Sequence, residues 1–234
     1  MQDTSRCIAE GVEGRNKRKG RGAEPVSIDQ GGTGEIMLVP VELLRPTQMA
    51  VGMRAVTYKR RKLEDLAGSR KRFWKLLGKR PIPAVRGPGG DLFIVDHHHF
   101  GLALWQAEVD AVYTRIVDDL SALDGAEFWS HMESQGRLYP FDENGERVTP
   151  SCLPTWLYAL RHDPYRDLAW EVREAGGFAK VATPFVEFRW ADFLRTRISQ
   201  SVIRRDWEDA AVLALKLCRS RAAADLPGYL GRGR

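Results

Sequence analysis

Three cysteines, Cys7, Cys152 and Cys218, are spread across 234 residues. Their odd number and wide spacing argue against a disulfide framework or a cysteine-ligated zinc site. Neither a Cys-x-x-Cys nor a His-Glu-x-x-His pattern occurs, so the common zinc signatures are missing. No cluster of paired carboxylates of the kind used in two-ion hydrolysis is visible. No metal ligands are therefore assigned. No apolar run approaches the ~20 residues of a membrane span, and the first residues lack the apolar core of a secretion signal. A cytoplasmic protein without a membrane partner is expected. Internal repeats are also absent.

What is present is ordinary in bulk. Hydrophobic residues make up 43% and charged residues 29%, as in a globular protein, and the length suits one large or two small domains. The net charge of +5 is uneven. From Arg54 to Arg80 there are eleven basic residues against Glu64 and Asp65, a local balance of +9 that leaves −4 elsewhere. Such a block attracts nucleic acid or a polyphosphate, or is simply a solvated helix face. Residues 1–34 carry the basic run Arg15 to Arg21 and Gly31-Gly32-Thr33-Gly34 with little to bury. A disordered basic tail is expected there, serving as a nucleic-acid arm or reflecting an overextended translation start.

The chain is organised around Ile94-Val95-Asp96-His97-His98-His99-Phe100, which holds three of its five histidines. Gly87-Pro88-Gly89-Gly90 before it reads as a turn needing glycine. Strands are expected at Ile82 to Arg86 and Leu92 to Val95, then a helix opening at the histidines with Asp96 as N-cap. A helix start favours anions such as phosphate, and the histidines add donors. Capping and packing is the plain alternative. A metal is a third reading, weakened because successive helical residues point ~100° apart and only Asp96 and His99 could share a side.

Around this, the sequence reads as strand (Ile36 to Pro40), turn (Val41 to Leu44), helices (Ala55 to Gly68 and Ser69 to Leu77, stopped by Gly78), and a β-branched strand (Val109 to Val117). After Asp119 the character becomes helical. Ser121 to Asp124 resembles a capping box, and Pro164 sits at a first helical position. Aromatic residues from Phe185 to Phe193 and an amphipathic stretch from Trp207 to Ala223 follow. The expected class is α+β: a small mixed-sheet domain with helices at 35–119, then a mostly α-helical domain at 120–234. Tyr165, Lys180, Glu187, Arg189 and Asp192 could line a cleft.

Val39-Pro40-Val41-Glu42-Leu43-Leu44-Arg45-Pro46-Thr47-Gln48, Pro81-Ile82-Pro83-Ala84-Val85 and Val95-Asp96-His97-His98-His99 together resemble the ParB-like and sulfiredoxin superfamily. The branch of ParB-like nucleases, whose box reads Asp-His-His-His, is the most similar. Phe128-Trp129, Asp163-Pro164-Tyr165-Arg166, Val172 to Gly177 and Phe185 to Phe193 also look like that branch, so the resemblance spans about Ile36 to Ile198. It implies a nucleotide phosphate held at the histidine-box helix, with ATP, ADP or CTP and magnesium as cofactors. His97 stands where the superfamily usually has glycine, and Phe100 replaces its arginine, removing one phosphate-binding cation. Thr47-Gln48 occupies the place of the kinases' glutamate, and glutamine is not a base. The sulfiredoxin cysteine and the ParB helix-turn-helix are both missing.

Two functions follow as expectations. In the first, an enzyme transfers or hydrolyses phosphate groups of a nucleotide, a phosphorylated small molecule or a nucleic acid. Asp96, His97 and His98 would be catalytic. His99, Thr47, Gln48, Arg54, Lys59, Arg60 and Arg61 would hold the phosphate. In the second, the chain is a DNA-binding or nucleotide-switched adaptor without catalysis. The oligomeric state is left open.

Overall fold

The structure is a computed structural model that describes residues 34–231; the expected basic tail, apart from Gly34, lies outside the described residues. Its class is mixed α+β. Five strands form one sheet in the order β1-β6-β4-β5-β2: β1 (Ile36–Pro40), β2 (Leu44–Pro46), β4 (Ile82–Arg86), β5 (Leu92–Ile94) and β6 (Ala111–Asp119). β6 runs antiparallel to β1 and parallel to β4, β4 and β5 are antiparallel, and β5 pairs with β2 in parallel. The β4–β5 hairpin turns through Gly89 and Gly90, whose positive φ angles of 71° and 83° suit glycine. β4 is central and buries Ile82, Ala84 and Val85. Ala84 and Val85 face opposite sides by ordinary strand alternation, and the β4–β6 register shifts by one residue between them.

Each face is covered by helices. On one side α1 (Met53–Glu64), α2 (Arg70–Lys79) and α3 (His98–Gln106) pack Val56, Leu63, Leu77, Leu102 and Leu104 against Leu44, Ile82 and Ile94. On the other, α4 (Gly125–Ser134) seats Phe128 and Met132 against Val85. A third core lies among the C-terminal helices α5 (Pro164–Glu174), α6 (Val186–Arg195), α7 (Gln200–Arg205) and α8 (Trp207–Cys218). Leu168, Val172, Phe178, Trp190 and Leu194 fill it. No helix among the described residues is long and apolar enough to cross a membrane.

Several local expectations shift. α3 begins one residue late, because His97, in the left-handed region at φ 66°, is its N-cap. Asp96 instead accepts from the His97 N–H at 2.6 Å. The capping box is Asp124 with Glu127, three residues beyond the one expected, and Asp124 accepts from both Ala126 and Glu127. α2 runs through Gly78 to Lys79, whereas Pro164 does open α5, capped by Asp163. Cys218 is a buried free thiol.

The two halves meet at the start of α1. A short ribbon pairs β3 (Ala50–Val51) with β7 (Arg161–His162). Beside it, a Cβ added at Gly52 would collide with the Asp167 carboxylate. Gly52→Ala should therefore lower the unfolding free energy by at least about 1 kcal/mol through overpacking. Gly68→Ala, where an added methyl meets nothing within 4 Å, should raise it by ~0.4–1 kcal/mol. Urea denaturation of both variants measures the contrast, and equal effects would contradict the close approach.

Candidate functional site

The histidine box is built by three different backbone demands. His97 takes the left-handed conformation that lets β5 turn into α3. The next two rings point back into the protein. The buried His98 ring accepts at Nε2 from the Thr47 backbone N–H at 3.1 Å, and Thr47 donates its hydroxyl to the Ile94 carbonyl at 2.8 Å. The His99 Nε2 accepts from the Gly52 N–H at 3.1 Å. Both rings thus carry their proton on Nδ1 and use their lone pair to hold the segment from Thr47 to Gly52 on α3.

Burial keeps them neutral. Desolvation pushes the His98 imidazole down to about 3, with the Arg166 charge adding to it. His99 is held well below the usual value, first by burial and then by the charges of Arg166 and Lys59. The half-buried His97 is lowered by burial too, and the charges of Lys59, Arg80 and Lys180 bear on it. Its Nδ1 has no hydrogen-bond partner, and its Nε2 lies 3.9 Å from the exposed Asp96 carboxylate, beyond a hydrogen bond.

Arg166, on α5, is the group that sequence reasoning missed. It is 4% exposed, and neither its Nε nor its Nη1 has a partner. Its guanidinium lies 3.4 Å over the Phe188 ring and 3.8 Å from Glu187. Burial pushes it down to about 10, still a cation at neutral pH. Glu187 is engaged by Arg173 in a close ion pair. Lys59 is lowered by burial first and then by Arg80 and Arg173, so the cations crowd one another. The Arg166 charge thus bears on His98 and His99 from a helix about seventy residues downstream. The only sequence signal was its place in the Asp163-Pro164-Tyr165-Arg166 motif.

The other expected site residues divide. The Lys59 charge bears on His97 and His99. Arg54 and Arg61 lie on a different side of α1, lining a groove with α5 and α7, as the ~100° step per residue requires. Arg60 pairs with Glu64 at 3.4 Å. Gln48 is buried and donates to the Ala50 carbonyl at 3.0 Å. Of the cleft candidates, the Lys180 charge bears on His97 and Glu187 pairs with Arg173. Tyr165 donates its hydroxyl to the Ile198 carbonyl, Asp192 accepts from the Tyr139 hydroxyl, and Arg189 is exposed.

A buried carboxylate completes the scaffold. Asp167 accepts at Oδ1 from the N–H groups of Arg54 and Ala55, at 2.8 and 3.3 Å. Its Oδ2 lies 3.0 Å from His162 Nε2, and that hydrogen bond is the main cause of a raised His162 pKa. Among the described residues no group of three or more His, Cys, Asp or Glu side chains is placed to hold a metal ion. Asp96 and an already paired Glu187 do not make a resident divalent site.

The family model described as "Putative ParB-like nuclease" matches residues 37–196. The chain belongs to that family. Among solved structures it is similar to protein Atu1540 from Agrobacterium tumefaciens. The two share 41% sequence identity and a TM-score of 0.78, over 84% of this chain and 97% of that one. No curated protein matches. The family match runs across residues 119–120, where a domain boundary was expected, and takes in α5 and α6 with Arg166 and Glu187.

The protonation states fix a pH dependence. Below the usual imidazole value of 6.5, the unfolded chain binds protons that folded His98 and His99 refuse, so stability should fall as pH drops from 6.5 toward 3. His162 acts oppositely. Its pairing with Asp167 contributes stability fully present below 6.5 and lost as pH rises through its raised folded value. Urea midpoints from pH 7.5 to 4.5 should fall in the wild type, fall less in His98→Gln and fall more in His162→Gln. An unaltered slope in His98→Gln would mean that the ring is not held neutral.

Proposed function

We propose that this ParB-like nuclease-family domain binds a phosphate-bearing ligand between the start of α3 and Arg166, and acts on its phosphate groups. The observation that carries the reading is Arg166. A buried guanidinium with two unpaired nitrogens is costly unless a ligand completes it, and phosphate oxygens match its fork. It supplies the cation that Phe100 does not. Lys59 and Arg173 add charge stabilisation for a negatively charged transition state, and His97 offers an unpaired Nδ1. In this reading His98 and His99 position the box through their hydrogen bonds to Thr47 and Gly52. Proton transfer falls to His97, with Asp96 beside it. ATP, ADP or CTP with magnesium, or a phosphodiester, are ligands of this chemistry. Magnesium would arrive with the nucleotide.

A second reading is non-catalytic DNA binding. It draws on α2, where Arg70, Lys71, Arg72, Lys75 and Lys79 are exposed and form no ion pair among the described residues. A salt-sensitive affinity for duplex DNA that persists without Arg166 would favour it.

Calorimetric titration with pyrophosphate, ATP, ADP and CTP, each with magnesium, tests the first reading. Arg166→Met and Lys59→Met should each weaken binding tenfold or more, about 1.4 kcal/mol. Arg166→Met should keep or raise the unfolding midpoint, since an apolar side chain of similar size replaces an unsatisfied buried cation. No binding of any of these ligands by the wild type, or full affinity in both variants, would overturn the reading.

A further inference from the structure

A groove of about 1010 Å³ lies along α1, bounded by α5 and by the α7–α8 corner. It is separate from the box, because the α1 residues that line it are Arg54, Thr57, Tyr58 and Arg61, whereas Lys59 serves the histidines. Its walls are aromatic and braced. Tyr58 and Trp170 stand with ring centroids 5.6 Å apart. Trp207 donates its indole N–H to Glu171 at 2.8 Å and carries the Arg54 guanidinium 4.2 Å from its ring centroid. Arg54 also pairs with Glu171 at 3.4 Å. Despite its size, Tyr58 is 46% exposed.

The acids in this groove are already spoken for. Glu171 is held by Arg54 and Trp207, Glu174 by Arg173 at 2.8 Å, and Asp167 by the α1 N–H groups and His162. Arg61 and Arg204 are exposed and make no ion pair among the described residues. The uncommitted charge is therefore positive, set beside rigid aromatic faces. Stacking surfaces with nearby cations suit a flat ring that carries an anion, and the volume is that of a small-molecule cleft.

We propose that this groove is a second binding site, for a nucleobase carrying a phosphate, supplied as a free nucleotide or within a single-stranded nucleic acid. The ring stacks on the Tyr58 and Trp170 side of the groove, and Arg61 and Arg204 neutralise the phosphate. This does not depend on the box binding phosphate.

The full chain is titrated with AMP, with a ten-residue oligothymidylate and with ribose 5-phosphate, following tryptophan fluorescence. AMP or the oligonucleotide should quench saturably, whereas ribose 5-phosphate, lacking a base, should not. The double variant Arg61→Ala, Arg204→Ala should weaken binding at least tenfold, and Arg166→Met should leave the quenching intact. Quenching by the oligonucleotide alone identifies a strand as the source, and quenching by AMP identifies a free nucleotide. Absence of quenching by both, unchanged affinity in the double variant, or loss only in Arg166→Met would overturn the proposal.

Discussion

The N-terminus of α1 is the constraint on which the molecule depends. A helix start exposes N–H groups that need acceptors, and here none comes from a local cap: Gly52 has no side chain to offer. The Gly52 N–H goes to His99 of α3, and those of Arg54 and Ala55 go to Asp167 of α5, 113 and 112 residues away. One helix end thus ties the sheet layer to the C-terminal helices. The same junction sets the chemistry. It gives His99 a donor for its lone pair, and it fixes Asp167, whose neighbour Arg166 lies over Phe188.

Charge is sorted by the same geometry. The basic block of α1 and α2 does not act as one patch. Lys59 bears on the histidines, Arg54 braces Trp207, Arg60 pairs along its own helix, and Arg61 is left open in the groove. α1 therefore presents two sides, with the Lys59 charge bearing on the histidines and Arg54 and Arg61 lining the aromatic groove. The C-terminal helices complete both, which accords with a family match that continues to residue 196.

Much of this architecture was legible in the sequence. The strands from Ile82 to Ile94, the helix opening at the histidines, the Pro164 helix start and the α+β class follow from turn residues, periodicity and the motifs shared with ParB-like proteins. Position along a helix was harder to read. The box helix starts at His98 rather than at a residue capped by Asp96, because the chain uses a left-handed turn at His97 instead. The partners of Thr47, Gly52 and Arg54 were not legible, since each lies about fifty or more residues away and no local pattern encodes a contact made by tertiary packing. Arg166 was visible only as a member of a motif, and Asp167 was not singled out at all. Their separate roles depend on burial.

His98 and His99 are neutral hydrogen-bond acceptors that hold the segment from Thr47 to Gly52, and in the proposed function Arg166 completes the phosphate site. Nitrogen-15 NMR of the imidazole rings tests this most directly. His98 and His99 should both show the Nδ1-protonated tautomer and stay unprotonated from pH 7.5 to 5, while the Arg166 side-chain signal shifts on adding pyrophosphate. Titration of either ring near 6.5, or an Arg166 signal indifferent to pyrophosphate, would contradict the account.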